Sequence, residues 1–251
     1  MRKIFTKIWG ILFPEKITCV ACGKEVFAGE FLCARCKTAM PYLPSRVCIK
    51  CGKKIHADGV CEDCKASLPA FDFARSVCSF VPPAQTLVHA LKFGGKTYLI
   101  DYLSEEITAL FRREGVKCDL IVGVPMSSKE ERHRGFNQSY LLAEKVAQKT
   151  GNCYAEVLEK VRETKRQAKL GRRARRENLL GAFRVTDKSQ VKNKSVLIID
   201  DVLTTGATTS EVAERLKRAG AKAVFVLTYC SVDSKNPFST NKSGKNRRLD
   251  G

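Results

Sequence analysis

Acidic residues are scarce in this chain. Across 251 residues, 26 Asp and Glu face 45 Lys and Arg, a formal net charge of +19. That imbalance points toward polyanions as partners: nucleic acid, phosphorylated ligands or an anionic membrane surface. A long apolar run is also missing. The apolar and basic stretch 1–13 is interrupted by Lys7 and falls short of the roughly 20 residues a membrane span needs. No small-residue cleavage site follows it, so the expected location is cytoplasmic. Ile4, Ile8, Ile11 and Leu12 share one helical face, which predicts a short amphipathic helix docked on the protein's own core rather than on a membrane. Histidine numbers only three, and His133, set among charges, reads as a solvated loop residue. Cys78, Cys118, Cys153 and Cys230 lie in or near apolar runs with no base beside them. They read as buried small hydrophobes, and no cysteine nucleophile is expected.

The other eight of the twelve cysteines form four Cys-x-x-Cys pairs: Cys19/Cys22, Cys33/Cys36, Cys48/Cys51 and Cys61/Cys64. In a reducing compartment this spacing argues for metal rather than disulfides. Each turn sets two thiolates on one face, and two turns complete a tetrahedral zinc site. Cys19-Val-Ala-Cys-Gly-Lys24 is echoed by Cys48-Ile-Lys-Cys-Gly-Lys53, with Gly23 and Gly52 placed for a tight bend. The repeat suggests two sequential sites, Cys19/Cys22/Cys33/Cys36 and Cys48/Cys51/Cys61/Cys64. A crossed pairing satisfies the spacing equally, and His56 is a spare donor nearby. Four thiolates leave no open position, so both zinc ions are read as structural.

Beyond Phe71 the pattern alternates between strand and helix. Strands are expected at 73–81, 120–125, 183–185, 196–199 and 223–229, and helices at 86–91, 99–113, 138–149 and 210–219. This is an α/β fold with a mostly parallel sheet. The expected organisation is an N-terminal helix within 1–18, a double zinc ribbon at 19–67, the α/β domain at 68–232 and a polar, disordered tail at 233–251.

The strand Val196-Leu-Ile-Ile199 runs into Asp200 and Asp201, then into the loop Thr204-Thr205-Gly206-Ala207-Thr208 and a helix. Ligands of open α/β sheets bind beyond the carboxyl ends of the strands. A Gly/Thr loop opening a helix there suits a phosphate, and the adjacent acids suit sugar hydroxyls. The stretch resembles the 5-phosphoribosyl-1-pyrophosphate (PRPP) motif of type I phosphoribosyltransferases. By that resemblance Asp200 and Asp201 hold the ribose hydroxyls and serve as the catalytic acids, while Thr204, Thr205, Gly206, Ala207 and Thr208 wrap the 5′-phosphate. Mg²⁺ is the implied cofactor, bound with PRPP.

Two basic segments accompany the motif. The first runs from Val124 to Gln138 and offers Ser127, Ser128, Lys129, Arg132 and Arg134 to an anion; the resemblance implies a pyrophosphate loop here. The second, Lys160 to Asn178, carries nine basic residues against two acids and no aromatics. It reads as a solvated basic helix, a nucleic-acid contact without base stacking, or a mobile loop closing over substrate. Arg134-Gly-Phe-Asn-Gln138, Arg162-x-Thr164-x-x-Gln167 and Arg175-Arg176-x-Asn178 resemble the ComF family. Those bacterial competence proteins join a zinc-binding N-terminus to a phosphoribosyltransferase-like domain. The resemblance implies a PRPP-binding protein of natural transformation, with single-stranded DNA and competence proteins as partners. The alternative is an active Mg-dependent phosphoribosyltransferase acting on a nucleobase or an amine.

Overall fold

The computed structural model describes residues 18–27, 29–164 and 177–232. The expected N-terminal helix, the polar tail and residues 165–176 of the basic segment, Gln167, Arg175 and Arg176 among them, lie outside the described residues.

Five parallel strands form the main sheet: β1 (Phe73–Ser79), β2 (Leu120–Gly123), β3 (Cys153–Tyr154), β6 (Ser195–Leu203) and β7 (Ala223–Ser231), in the order β1-β7-β6-β2-β3. A separate antiparallel pair joins β4 (Leu158–Lys160) to β5 (Phe183–Val185). The strand expected at 183–185 therefore exists but belongs to this hairpin. The helices are α1 (Ala34–Thr38), α2 (Glu62–Ala66), α3 (Ala84–Gly94), α4 (Leu99–Arg113), α5 (Ser128–Arg134), α6 (Gln138–Thr150) and α7 (Ala207–Arg218).

Side chains of a strand alternate between the two sheet faces, and each face has its own apolar layer. Leu197, Ile199, Leu227 and Tyr229 point to the face covered by α3, α4 and α6. Val196, Ile198, Val224 and Val226 point to the face covered by α7 and the segment around Phe183. The cysteine-rich region divides between the two. Cys19, Leu32, Cys36 and Met40 join the first layer, whereas Cys48, Cys51 and Cys64 join the second.

The chain passes from one face to the other along the outer edge of β1. Leu43 N donates to Val77 O (3.0 Å), Ser79 N to Pro41 O (2.9 Å) and Ala74 N to Lys50 O (2.7 Å). These bonds cover an edge that would otherwise be open to pairing with another chain. The approach is close: a Cβ on Gly52, whose φ is +69°, would lie 2.4 Å from Ala74 O. Gly52 thus serves the cysteine turn and the seating of that turn on the sheet.

Of the lone cysteines, Cys78 and Cys230 face each other in register on β1 and β7 and are fully buried. Burial pushes the Cys78 thiol up to about 12. Cys118 is half-buried and Cys153 is exposed, so the buried reading fails for Cys153. No helix among the described residues is long and apolar enough to cross a membrane.

Candidate functional site

The two cysteine clusters assemble in sequence order. Cys19, Cys22, Cys33 and Cys36 form one, and Cys48, Cys51, Cys61 and Cys64 the other, each with its ligand atoms within 4.8 Å of one another. The crossed arrangement is not adopted, and His56 belongs to neither cluster. The Cys22–Cys33 and Cys51–Cys61 sulfur pairs stand 3.7 and 3.6 Å apart. Four sulfurs at zinc-bond distance form a tetrahedron with edges of about 3.8 Å, and a disulfide requires about 2.05 Å. The donor set and spacing fit Zn²⁺ in both places. Matching backbone turns support the first pair of each cluster: Gly23 N donates to Cys19 O (2.8 Å) and Gly52 N to Cys48 O (2.9 Å).

The acid pair sits where the sheet divides. β6 is the central strand, pairing with β2 on one side and β7 on the other. The β2 ladder ends at Gly123 opposite Ile199, while the β7 ladder continues through Asp200–Thr228 to Leu203–Ser231. Asp200 and Asp201 therefore lie within β6, not after it, because pairing with β7 outlasts the apolar run. From β2 the chain goes through α6 toward β3, and from β6 through α7 toward β7, in opposite directions. Ligand sites of α/β sheets form at such a switch point, beyond the carboxyl ends of the strands.

Two neighbours and one backbone N–H organise the acids. Ser139 Oγ donates to Asp200 Oδ1 at 2.7 Å, and Asp201 N donates to the same oxygen at 2.9 Å. Lys92 Nζ lies 2.5 Å from Asp201 Oδ2, and Asp201 is buried. Burial, then repulsion from Asp201, pushes the Asp200 carboxyl up to about 7, against the pull of Lys92 and Ser139. Like charges this close resist joint ionisation. Sequence reading missed Lys92 and Ser139. Lys92 comes from α3, remote in sequence from the motif, and only the fold brings the two together.

Ser139 reaches Asp200 because α6 begins hard against β2. Asn137 caps α6, accepting from Ser139 N (2.9 Å) and donating to Val124 O (3.2 Å). Gly123 permits the contact, since a Cβ there would lie 2.7 Å from Ser139 O. In Arg134-Gly-Phe-Asn-Gln138, Gly135 ends α5 at φ +84° and Arg134 donates to Gln138.

The expected pyrophosphate loop is largely α5. Ser127 is its buried N-cap, bonded reciprocally with Glu130, whereas Ser128, Lys129 and Arg132 are exposed along the helix. Glu130 is held below the usual carboxylate range despite burial, through Lys160 and the Ser127 bonds. On the other side, Gly206 adopts φ +76° and opens α7, whose first turn carries no acidic residue. Ala207 and Thr208, expected in the loop, form that first turn. Thr204 is exposed and Thr205 half-buried. Asp63, Ser67, Leu68 and Pro69 of the second ribbon region line a small cavity of about 80 Å³ together with Thr205, Gly206, Ala207 and Ser210. Of the basic segment, Arg162 donates to Asn178 O (2.9 Å) and Leu180 O (2.8 Å), tying its two ends together. Thr164 is half-buried beside it.

Comparison with known proteins agrees with this arrangement. Residues 8–65 match the Double zinc ribbon domain family, and residues 137–245 match the Phosphoribosyl transferase domain family. The chain is 34% identical to the DNA utilization protein YhgH of Salmonella typhimurium, over 88% of this chain and 90% of that protein. It is 25% identical to Competence protein F of Haemophilus influenzae, over 83% of this chain and 94% of that one. It is 24% identical to Competence protein ComFC of Bacillus subtilis, over 82% and 85% respectively. With a double zinc ribbon joined to a phosphoribosyltransferase-type sheet, and relatives aligned along most of their length, the chain belongs to the ComF family.

Proposed function

We propose that this protein binds PRPP with Mg²⁺ at the carboxyl end of β6 and acts in the cytoplasm in the handling of single-stranded DNA during natural transformation. The acid pair carries the reading: two carboxylates at the switch point, followed by a Gly206-led helix whose first turn is free of acid. Asp200, oriented by Ser139, and Asp201, neutralised by Lys92, hold the ribose hydroxyls and the cation. Thr204 to Thr208 receive the 5′-phosphate, with the α7 dipole behind them. Lys129, Arg132 and Arg134 face the pyrophosphate. Carboxylate oxygens suit Mg²⁺, which when bound draws charge from the diphosphate. The relatives' names support the DNA role, and the charge of +19 favours a phosphate backbone.

Titration of the zinc-loaded protein with PRPP and Mg²⁺, beside Asp200→Asn/Asp201→Asn, tests the site. A loss of at least tenfold in the variant is expected. Absence of binding by the intact protein overturns the reading.

One observation favours catalysis as a second reading. A carboxyl held at about 7 is poised to exchange a proton near neutral pH. In the transfer, the C1–O bond breaks and its electron pair leaves with pyrophosphate. The acceptor nitrogen bonds to C1 and passes its proton to the ionised Asp200 carboxylate. Pyrophosphate release that survives the double Asn substitution would rule this out.

A further inference from the structure

Phe93 stands out on the surface. It is 76% exposed, at the end of α3, where Gly94 and Gly95 follow with no side chain to cover it. Its ring is nonetheless held in place. His89 packs edge-on at 5.7 Å between ring centroids, and Phe80 packs edge-on against His89 at 5.6 Å. The Arg134 guanidinium lies over the Phe93 ring, 5.9 Å from its centroid.

Two short links tie this ring to the acid pair. Its chain neighbour Lys92 is paired with Asp201. On the other side, Arg134 bonds to Gln138, next to the Ser139 that bonds to Asp200. An exposed, pre-oriented aromatic ring thus lies under one guanidinium and follows directly on the lysine that meets the acid pair. Lys92 is committed to Asp201, whereas Arg134 donates to a neutral amide and has no acid partner among the described residues. Aromatic rings stack on nucleobases of any sequence, while a nearby Arg meets the phosphates. Rings already fixed by their neighbours lose little entropy on binding.

We infer that Phe93, held by His89 and lying under the Arg134 guanidinium, is a stacking platform for a nucleobase carried on a sugar-phosphate. The inference rests on the reading that Asp200 and Asp201 hold the ribose end of a ligand. A base on that ligand, or on a strand threading the same mouth, would lie on Phe93.

The test uses the full-length, zinc-loaded protein as wild type, Phe93→Ala and Phe93→Trp, at low salt. The probes are a twelve-nucleotide oligothymidylate, an abasic strand of equal length, thymidine 5′-monophosphate and PRPP with Mg²⁺. Stacking is worth about 1–3 kcal/mol per base, so Phe93→Ala should weaken a base-bearing probe by roughly fivefold to a hundredfold. Phe93→Trp should restore it, with tryptophan quenching on binding, and the abasic strand should change less than twofold. A loss confined to the oligonucleotide assigns the base to DNA. A loss confined to the monophosphate assigns it to a free nucleotide. Equal binding of thymidylate and abasic strands by wild type, or base-bearing probes that ignore Phe93→Ala, overturns the inference. Failure of PRPP alone to bind wild type strikes at the proposed function instead.

Discussion

Gly123→Ala is the substitution that most directly tests how the site is built. An added Cβ would lie 2.6 Å from Tyr140 Cδ1, 2.7 Å from Ser139 O and 2.8 Å from Ser139 C. The Tyr140 ring is tied by its hydroxyl to Leu158 O (3.0 Å), and the Ser139 backbone cannot yield without moving the helix. The first turn of α6 must therefore lift from β2 by several tenths of an ångström. Overpacking of this kind costs about 1–3 kcal/mol. At about 2–4 °C per kcal/mol for a chain of this size, Tm should fall by roughly 2–12 °C. The same shift pulls Ser139 away from Asp200, stretching a 2.7 Å bond to the carboxylate. Bonds to charged groups are worth about 1.5–3 kcal/mol, so PRPP affinity should fall by roughly tenfold to a hundredfold. Gly94→Ala is the matched control, because its nearest neighbour is Lys96 Cγ at 3.8 Å and its backbone is not left-handed. Differential scanning calorimetry and PRPP titration of both variants decide the matter. A Gly123→Ala protein with wild-type Tm and wild-type affinity would refute the claim that close packing of α6 on β2 positions Ser139.

Two further outcomes follow from the charges and the cysteines. Asp200 keeps its proton to about pH 7 in the folded chain but releases it near the ordinary carboxylate value when unfolded. Between those values the native state binds more protons, so the stability of wild type relative to Asp200→Asn should decline as pH rises from about 4 to 7 and level off above. Denaturant unfolding across that range would show it, and a difference that rises with pH would contradict the buried-pair account. Metal analysis should find two zinc ions per chain, falling to one in Cys51→Ser. Chelation should unfold the sheet as well as the ribbons, because cysteines from both clusters lie in its two apolar layers. Structural zinc is worth about 10–16 kcal/mol, as much as the whole stability of an ordinary domain. An unchanged melting curve after chelation would count against it.

Legibility in the sequence followed the range of the interactions. The helix expected at 99–113 forms over those same residues, since its apolar spacing is a local property. α5 has no apolar period to read, because none of its residues is buried; its one local sign is the Ser127–Glu130 capping box. β3 and β4, with two and three residues, are too short for an alternation to register. The acids after Ile199 predict a strand end there, yet the ladder with β7 runs on to Leu203.

The sequence alone determined the α/β class, the four cysteine turns, the acid pair and the Gly/Thr loop, all of which are encoded by residue type at short spacing. The tertiary structure alone decided that the cysteine clusters close in order and lie one on each face of the sheet. It also decided that Lys92 meets Asp201, that Ser139 meets Asp200 and that Phe93 stands beside them. Those contacts join residues far apart in the chain. They exist because α3 and α6 pack on the same sheet face, and because Gly123 and Gly52 let backbones approach where a side chain would hold them apart.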